Sequence, residues 1–207
     1  MRHVARKRDQ ETRRQQLIEA AHEAVADKGL AAVQLRDVAK AADLTPGAVL
    51  YYYDDLHDLL QQVYEGATRR YSVEREEAIA RLSSPAARLG TALRMSVPSG
   101  PDDTELRMLF EFDAMIFGNP RYIEFARQYL ERQVQMYEQL LLDGVATGAF
   151  ILATSARDTA RNLLALEDSH GFGVLIGAIT PQDMLRLLYD AAVAATGVPP
   201  ADLVGRG

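Results

Sequence analysis

The chain has 207 residues, of which 48% are hydrophobic and 25% charged, and its formal net charge at pH 7 is −6. This composition suits one or two packed units and excludes a largely disordered chain. Because the sequence contains no cysteine, it also excludes disulfides, thiolate metal sites and cysteine nucleophiles.

The sequence predicts neither a secretion signal nor a membrane span. No apolar segment follows Met1, as a signal peptide would require. The longest apolar run, at residues 173–179, is far too short to cross a bilayer. We therefore expect a cytoplasmic protein that has no membrane partner.

The charge is unevenly distributed along the chain. Residues 1–14 contain six basic and two acidic residues, residues 1–55 contain nine of each, and the whole −6 lies in the remainder. A basic N-terminal segment followed by an acidic remainder can orient a protein on DNA. The alternative is that the basic segment is a solvated tail that only helps solubility. Residues 1 to about 10 show no periodicity, so we expect them to be mobile.

The first predicted helix covers residues 11–28. Leu17, Ala21 and Val25 recur on one face of it, and Gly29 follows as a C-terminal cap. We expect this helix to pack behind the two short helices that come next.

Residues 34–53 read as a helix, a tight turn and a second helix. Leu35, Val38 and Ala42 share one apolar face of the first helix. Asp43 stands in the turn, where a left-handed backbone is needed and where Asp is one of the residues that tolerate it.

The second helix of this pair is expected to run from Pro46 to about Tyr52. Thr45 is a good N-cap, and Pro46 fits the first helical position, where no amide donor is required. Two short helices joined in this way form a helix-turn-helix, whose second helix can lie in a DNA major groove.

The order of these features resembles the TetR family of transcriptional regulators, over roughly Leu17 to Leu60. The chain differs from the common family pattern by Asp43 in the turn and by Gln34 ahead of the first helix. Leu50 and Leu56 stand where family members often have a Tyr and a Lys. We expect Leu50 to pack. The phosphate-contacting candidates that replace these residues are Tyr51, His57 and Arg36.

The resemblance implies a DNA-binding transcriptional regulator and not an enzyme, most simply a repressor that a small-molecule effector releases from operator DNA. It implies no metal or cofactor. The functional domains are predicted as residues 1–55, which bind double-stranded DNA, and residues 56–207, which bind the effector and dimerise. The predicted DNA-binding residues are Arg36, Thr45, Pro46, Ala48, Tyr51, Tyr52 and His57.

The remaining chain predicts six further helices, which gives an all-α protein of about nine helices. Helix 4 starts at residue 54 or 55 and runs without interruption to about residue 82. Proline and glycine punctuation separates the others. Their predicted ranges are 86–97 for helix 5, 104–117 for helix 6, 121–147 for helix 7, 156–178 for helix 8 and 181–197 for helix 9.

Large apolar side chains crowd residues 108–137, on several faces of the predicted helices. Such helices are either buried all round or line a cavity, and in the resembling family helices 4 to 8 form the effector cavity. The acidic body favours a cationic or partly polar organic effector. The predicted ligand-binding residues are Tyr64, Met108, Phe112, Met115, Phe125, Tyr129, Glu167 and His170.

Helices 8 and 9 are predicted to form a homodimer interface, as they do in the resembling family. Gly171, Gly173 and Gly177 would let another backbone approach helix 8 closely. A break of the helix near Gly171 is the alternative explanation.

Two other functions are compatible with parts of the sequence. The pattern Glu-x-x-His occurs at Glu19–His22 and at Glu167–His170, and paired motifs of this kind build di-iron carboxylate sites in helical bundles. A helical scaffold whose N-terminal region no longer binds DNA is the other alternative. Metal analysis and DNA titration would distinguish these functions.

Overall fold

The computed structural model describes residues 2–113, 115–118 and 120–204, and among these the side chains from Gln10 onward except those of residues 118 and 121. This described part contains ten α-helices and no strand, which confirms the all-α prediction. The helices are α1 (Arg2–Lys28), α2 (Leu35–Ala41), α3 (Pro46–Val49), α4 (Leu56–Ala80), α5 (Pro85–Met95), α6 (Thr104–Asp113), α7 (Pro120–Ala146), α8 (Ala156–Leu175), α9 (Pro181–Thr196) and α10 (Pro200–Val204), with a short 3-10 helix at Ile116–Gly118.

The first helix is longer than the sequence pattern indicates. Helix α1 begins at Arg2, so the predicted start of this helix at residue 11 is wrong. These residues lack an apolar stripe, but they are mostly Arg, Lys, Gln and Ala, whose helix propensities are high. Propensity therefore extends the helix where amphipathic periodicity does not indicate one.

Three helices end three or four residues earlier than expected. Helix α3 stops at Val49 rather than near Tyr52, because the following amides bond in tighter turns, such as Tyr52 N–H to the Val49 carbonyl at 2.9 Å. Helix α6 stops at Asp113 and α8 at Leu175. Gly177, with a φ of +72°, thus lies beyond α8 in a left-handed C-terminal turn.

The contacts divide the chain into two compact units. The first is Met1–Arg69 with Thr104–Ile123, and the second is Arg70–Asp103 with Glu124–Gly207. Boundaries between the two units fall inside α4 and α7. The division reflects packing and does not define functional domains. The functional boundary after residue 55 stays a prediction.

In the first unit, α1 packs on α2 and on α6. The predicted stripe of α1 is buried, with Leu17 and Ala21 at 0% exposure. Gly29 ends α1 at a φ of +77°, and the next amide, Leu30 N–H, donates to Glu111 Oε2 of α6 at 2.8 Å. This bond gives a partner to a backbone amide in the turn that follows the helix.

In the second unit, the apolar core is formed by α5, α7, α8 and α9 together with the ends of α4 and α10. Helix α10, which the sequence pattern did not predict, packs on α5 through Leu203. A Cβ at Gly90 would lie 1.9 Å from the Leu203 carbonyl oxygen, so this packing needs glycine. The short α10 has no amphipathic repeat of its own, and the contact with α5 stabilises it.

Candidate nucleic-acid interface and ligand residues

Helices α2 and α3 have the geometry predicted for a helix-turn-helix. Asp43, in the turn, has a φ of 53°, the left-handed conformation expected for it. Thr45 caps α3 by accepting the Ala48 amide at 3.2 Å, and Pro46 is the first helical residue. Local residue preferences therefore set the direction in which α3 leaves the turn.

One side of α3 and the turn after it is exposed. Thr45, Pro46 and Tyr51 are exposed, whereas Ala48 and Tyr52 are half-buried. Tyr51 is 67% exposed, and its ring meets that of Tyr52 edge-on at 5.0 Å. The five predicted contact residues of this segment are thus all at least partly exposed. Opposite it, Val49 and Tyr53 are buried.

Leu50 also lies on the exposed side, at 46% exposure. The expectation that Leu50 packs is therefore wrong. Leu50 caps the C-terminus of α3 with helical dihedrals, φ −66° and ψ −10°. It follows the buried Val49 by one residue, and adjacent residues of a helix do not share a face. Leu56 is half-buried. Leu50 therefore presents an apolar side chain to solvent at a position where the resembling family often has a polar one.

Three basic groups flank this surface. Arg36, on α2, and His57, in the first turn of α4, are exposed as predicted. Lys40, also exposed near the end of α2, was not singled out from the sequence, although it lies four residues after Arg36 and therefore on the same helix face. Arg36 and Lys40 thus place two positive charges on one face of α2, the helix that packs against α3.

Tyr53 anchors the end of this segment to α1. Its hydroxyl donates to the Arg14 carbonyl at 3.1 Å, and the Arg14 guanidinium lies 5.2 Å from the ring centroid. Burial raises the pKa of Tyr53 to about 12, so the phenol stays neutral and keeps its donor. Of the three consecutive tyrosines, Tyr53 is structural and Tyr51 is available for binding.

A polar tie fixes the start of α2 against the end of α1. Asp37 accepts the Gln34 amide at 3.0 Å and the Lys28 ammonium at 2.5 Å. The hydrogen bond from Lys28 is the main reason that the pKa of Asp37 is below its ordinary value. This tie orients the helix that carries Arg36.

Four of the eight predicted ligand residues lie in the first unit. Met108 and Phe112 of α6 and Tyr64 of α4 are buried, and Met115 is half-buried. The rings of Tyr64 and Phe112 stack at 4.9 Å, and the Tyr64 hydroxyl donates to Asp113 at 3.2 Å. Desolvation raises the pKa of Asp113 despite this bond.

The other four lie in the second unit. Phe125, Tyr129 and His170 are half-buried, and Glu167 is 5% exposed. The union of the two groups in one ligand site stays a prediction. Within its own unit, Glu167 belongs to a polar cluster that the sequence analysis did not identify.

This cluster is centred on Arg75 of α4, which is 1% exposed. Its guanidinium donates to Glu167 Oε1 at 2.6 Å, to the Ala92 carbonyl at 2.7 Å and to Gln133 at 3.1 Å. It also donates to the hydroxyls of two tyrosines, which are Tyr71 and Tyr137. The partners come from α5, α7 and α8 as well as α4 itself.

The cluster is satisfied by mutual hydrogen bonds. The Tyr137 hydroxyl donates to Glu167, and Gln133 donates to Ser72 at 3.0 Å. Although burial alone would lower the pKa of Arg75, the Glu167 carboxylate raises it. A signal for the cluster was present in the sequence: Arg75 follows Tyr71 by four residues and precedes Ile79 by four, so it falls on the buried face of α4.

Within the described residues there is no group of three or more His, Asp or Glu side chains that could hold a metal ion. His22, part of the first Glu-x-x-His pattern, instead lies 3.2 Å from Glu105 of α6. No helix in the described part of the chain is long and apolar enough to cross a membrane.

Residues 17–63 match the family model of the bacterial regulatory proteins, tetR family. These bounds agree with the extent of the resemblance seen in the sequence. No curated protein matches the chain significantly.

Solved structures with the same fold include several described as regulators. A TetR-family transcriptional regulator from Rhodococcus sp. is 22% identical, with a TM-score of 0.76, over 89% of this chain and 98% of that one. A TetR transcription regulator from Haloarcula marismortui ATCC 43049 is 20% identical, with a TM-score of 0.80, over 90% and 99%. A transcriptional regulator from Saccharomonospora viridis, in complex with choline, is 19% identical, with a TM-score of 0.81, over 88% and 96%. At these identities the likeness shows the fold.

Proposed function

We propose that this chain, in which residues 17–63 are a TetR-family helix-turn-helix domain on a fold shared with TetR-family regulators, is a repressor that binds operator DNA and is released by a small organic effector. The exposed surface of α3 carries this proposal, since Thr45, Pro46 and Tyr51 face solvent while Val49 and Tyr53 anchor the same segment. We expect the protein to act in the cytoplasm, because that is where it would bind operator DNA.

In the proposed complex, α3 enters the major groove and residues on either side of it touch the backbone. Ala48, Tyr51 and Tyr52 meet base edges or sugars, and Arg36 and His57 meet phosphates. Phosphate contacts fix the register of the protein on DNA, whereas base contacts provide sequence discrimination. Lys40 is a further candidate for a phosphate contact, since it shares a helix face with Arg36.

A dimer supplies the second recognition helix. Helices α8 and α9 pack together. Phe172 of α8 and Ile176, which caps the C-terminus of α8, are 53% and 60% exposed. Burying this apolar strip against a second copy removes it from water. A homodimer through α8 and α9 then reads two half-sites about 34 Å apart, or a multiple of it, in a (pseudo)palindromic operator.

Helix α4 is the proposed route from effector to DNA. It has 25 residues and is therefore about 37 Å long, with His57 at its start and Tyr64 and Tyr71 further along. A tilt of α4 caused by the effector changes the spacing of the recognition helices. The effector achieves this only by binding the DNA-free state more tightly, and DNA must weaken effector binding by the same factor.

The effector in this proposal is a small organic molecule. The structural neighbour from Saccharomonospora viridis holds choline, and this supports the capacity of the fold for a ligand of that size. The predicted contacts remain Tyr64, Met108, Phe112 and Met115 in one unit and Phe125, Tyr129, Glu167 and His170 in the other.

A gel-shift titration with DNA from around its own gene tests the proposal. Arg36→Ala should weaken binding to all sequences and reduce the slope of log affinity against log salt by about one. Arg81→Ala is the matched control, because Arg81 lies outside the DNA-binding domain and its side chain is 78% exposed. Unchanged affinity and salt dependence in Arg36→Ala refutes the phosphate assignment, and absence of any operator binding by the wild type refutes the function.

A further inference from the structure

The segment that is proposed to enter the major groove has few side chains that can read bases by hydrogen bonding. Residues 45–52 contain no Arg, Lys, Asn, Gln, Asp or Glu, the side chains that make bidentate or charged contacts with the edges of guanine, adenine and cytosine. The Thr45 hydroxyl already accepts the Ala48 amide at 3.2 Å. Tyr51 and Tyr52 offer one hydroxyl each, which is not enough for a bidentate pair. This segment therefore needs another way to distinguish bases.

The same segment presents an apolar pair to solvent. Pro46 is exposed, and Leu50 is 46% exposed. The Leu50 amide donates to the Pro46 carbonyl at 3.1 Å, so the helical spacing holds between them and the two residues share one face. Apolar atoms on this face can contact an apolar group of the DNA.

Gly47, next to this pair, leaves room for a close approach. It is exposed, and a Cβ added to it would meet no atom of the protein within 4 Å. It is not among the glycines with positive φ, so neither packing nor backbone conformation requires glycine here. The missing side chain lets the backbone of α3 come near a partner, and an apolar contact requires heavy atoms within about 4–4.5 Å of each other.

We propose that Leu50 is a specificity-determining residue whose side chain contacts the C5-methyl group of a thymine in the major groove of the operator. This inference rests on the proposed function and names the feature of the operator that α3 reads. Among the four bases, thymine alone carries a methyl group in the major groove, and apolar contact is the way in which proteins recognise it. A dimer reads one such thymine in each half-site.

Removing thymine methyl groups from the DNA tests this contact. The fragment that the full-length protein binds in a gel shift is amplified with thymidine or with deoxyuridine triphosphate, so that the two duplexes pair identically and differ only in C5-methyl groups. At one fixed salt concentration, the loss of a contacted methyl should weaken binding about fourfold in one half-site and about fifteenfold in both. Single uracil substitutions in synthetic duplexes then locate the thymine. Equal affinity for the two duplexes overturns the inference.

A variant of Leu50 shows whether this side chain makes the contact. Leu50→Ala should bind the thymine duplex more weakly, by about the factor that the wild type loses with uracil, and its affinity for the uracil duplex should change little. Because uracil is compared with thymine in both forms of the protein, any effect of the methyl groups on DNA shape cancels. Alanine has the highest helix propensity and Leu50 is exposed, so the variant should fold.

Two further variants serve as controls. Leu50→Met keeps an apolar side chain of similar volume and should retain most of the preference for thymine. Leu142→Ala makes the same change as Leu50→Ala at a leucine of 47% exposure in the second unit, and it should retain the whole preference. A Leu50→Ala variant that keeps the full preference for thymine, or that binds both duplexes more weakly by the same factor, overturns the inference.

The same gel shifts separate this inference from the proposed function. Binding of the wild type to both duplexes with equal affinity refutes only the thymine contact. Absence of binding to either duplex refutes the regulatory function, and the thymine contact with it.

Discussion

Removing Glu167 should destabilise the second unit strongly, because Arg75 would keep its charge without a counterion. Arg75 is 1% exposed, and Glu167 is the one carboxylate that it pairs with in the described structure. Breaking a buried pair from one side costs about 3–5 kcal/mol. At roughly 2–4 °C per kcal/mol for domains of 150–250 residues, Glu167→Ala should lower the melting temperature by about 6–20 °C.

Urea and thermal unfolding at one fixed protein concentration measure this effect, since a dimer makes stability concentration-dependent. Glu77→Ala is the control: Glu77 pairs with Arg81 at 3.8 Å on the surface, with 64% of its side chain exposed. Removing such a pair changes stability by about 0–1 kcal/mol.

The double variant Arg75→Met/Glu167→Met separates loss of charge pairing from loss of packing. It removes both charges, so it should recover most of the stability that Glu167→Ala loses. A loss below about 1 kcal/mol in Glu167→Ala, or a double variant less stable than Glu167→Ala, contradicts the idea that an unpaired buried charge sets the cost.

Two smaller predictions concern packing and titration. Gly90→Ala should displace α10, because the added Cβ would lie 1.9 Å from the Leu203 carbonyl oxygen. Amide hydrogen exchange in α10 should then be faster in the variant than in the wild type, while exchange in α1 stays unchanged. Equal protection of α10 in the variant and in the wild type would contradict the packing. Asp37 has a pKa below 3.8 in the folded protein, so its contribution to stability is complete above its unfolded pKa and is lost as the pH falls through the lower folded value. An NMR titration should place the midpoint for the Asp37 carboxyl group below 3.8, and Lys28→Met should raise this midpoint. A midpoint that Lys28→Met leaves unchanged would show that Lys28 does not lower the pKa of Asp37.

The helix-turn-helix could be predicted in detail because its geometry depends on neighbouring residues. Asp43 takes the left-handed backbone, Thr45 caps α3, and Pro46 begins it, each for a reason that acts within four residues. The same local reasoning failed where helices end, as at Val49, and it mistook the exposed Leu50 for a packing residue. Side-chain hydrophobicity alone does not predict burial, because the position of a residue around the helix decides whether it faces the core.

The cluster around Arg75 lay beyond this reasoning for a different reason. Its partners are distant in sequence: Ala92 is 17, Gln133 58 and Glu167 92 residues away. The position of Arg75 on the apolar face of α4 could have indicated a buried charge. It could not have identified the counterion, because no local pattern links residues on α4 and α8.

By itself, the sequence determined the helical class, the helix-turn-helix and the capping residues that orient α3, since these follow from backbone preferences and short-range periodicity. Only the tertiary structure decided that Tyr53 anchors α1 while Tyr51 stays exposed, that Leu203 needs a glycine opposite it, and that Glu167 of α8 is the counterion of the buried Arg75. These outcomes depend on which helix surfaces pack against each other. A polar group that this packing buries costs free energy unless it is hydrogen-bonded.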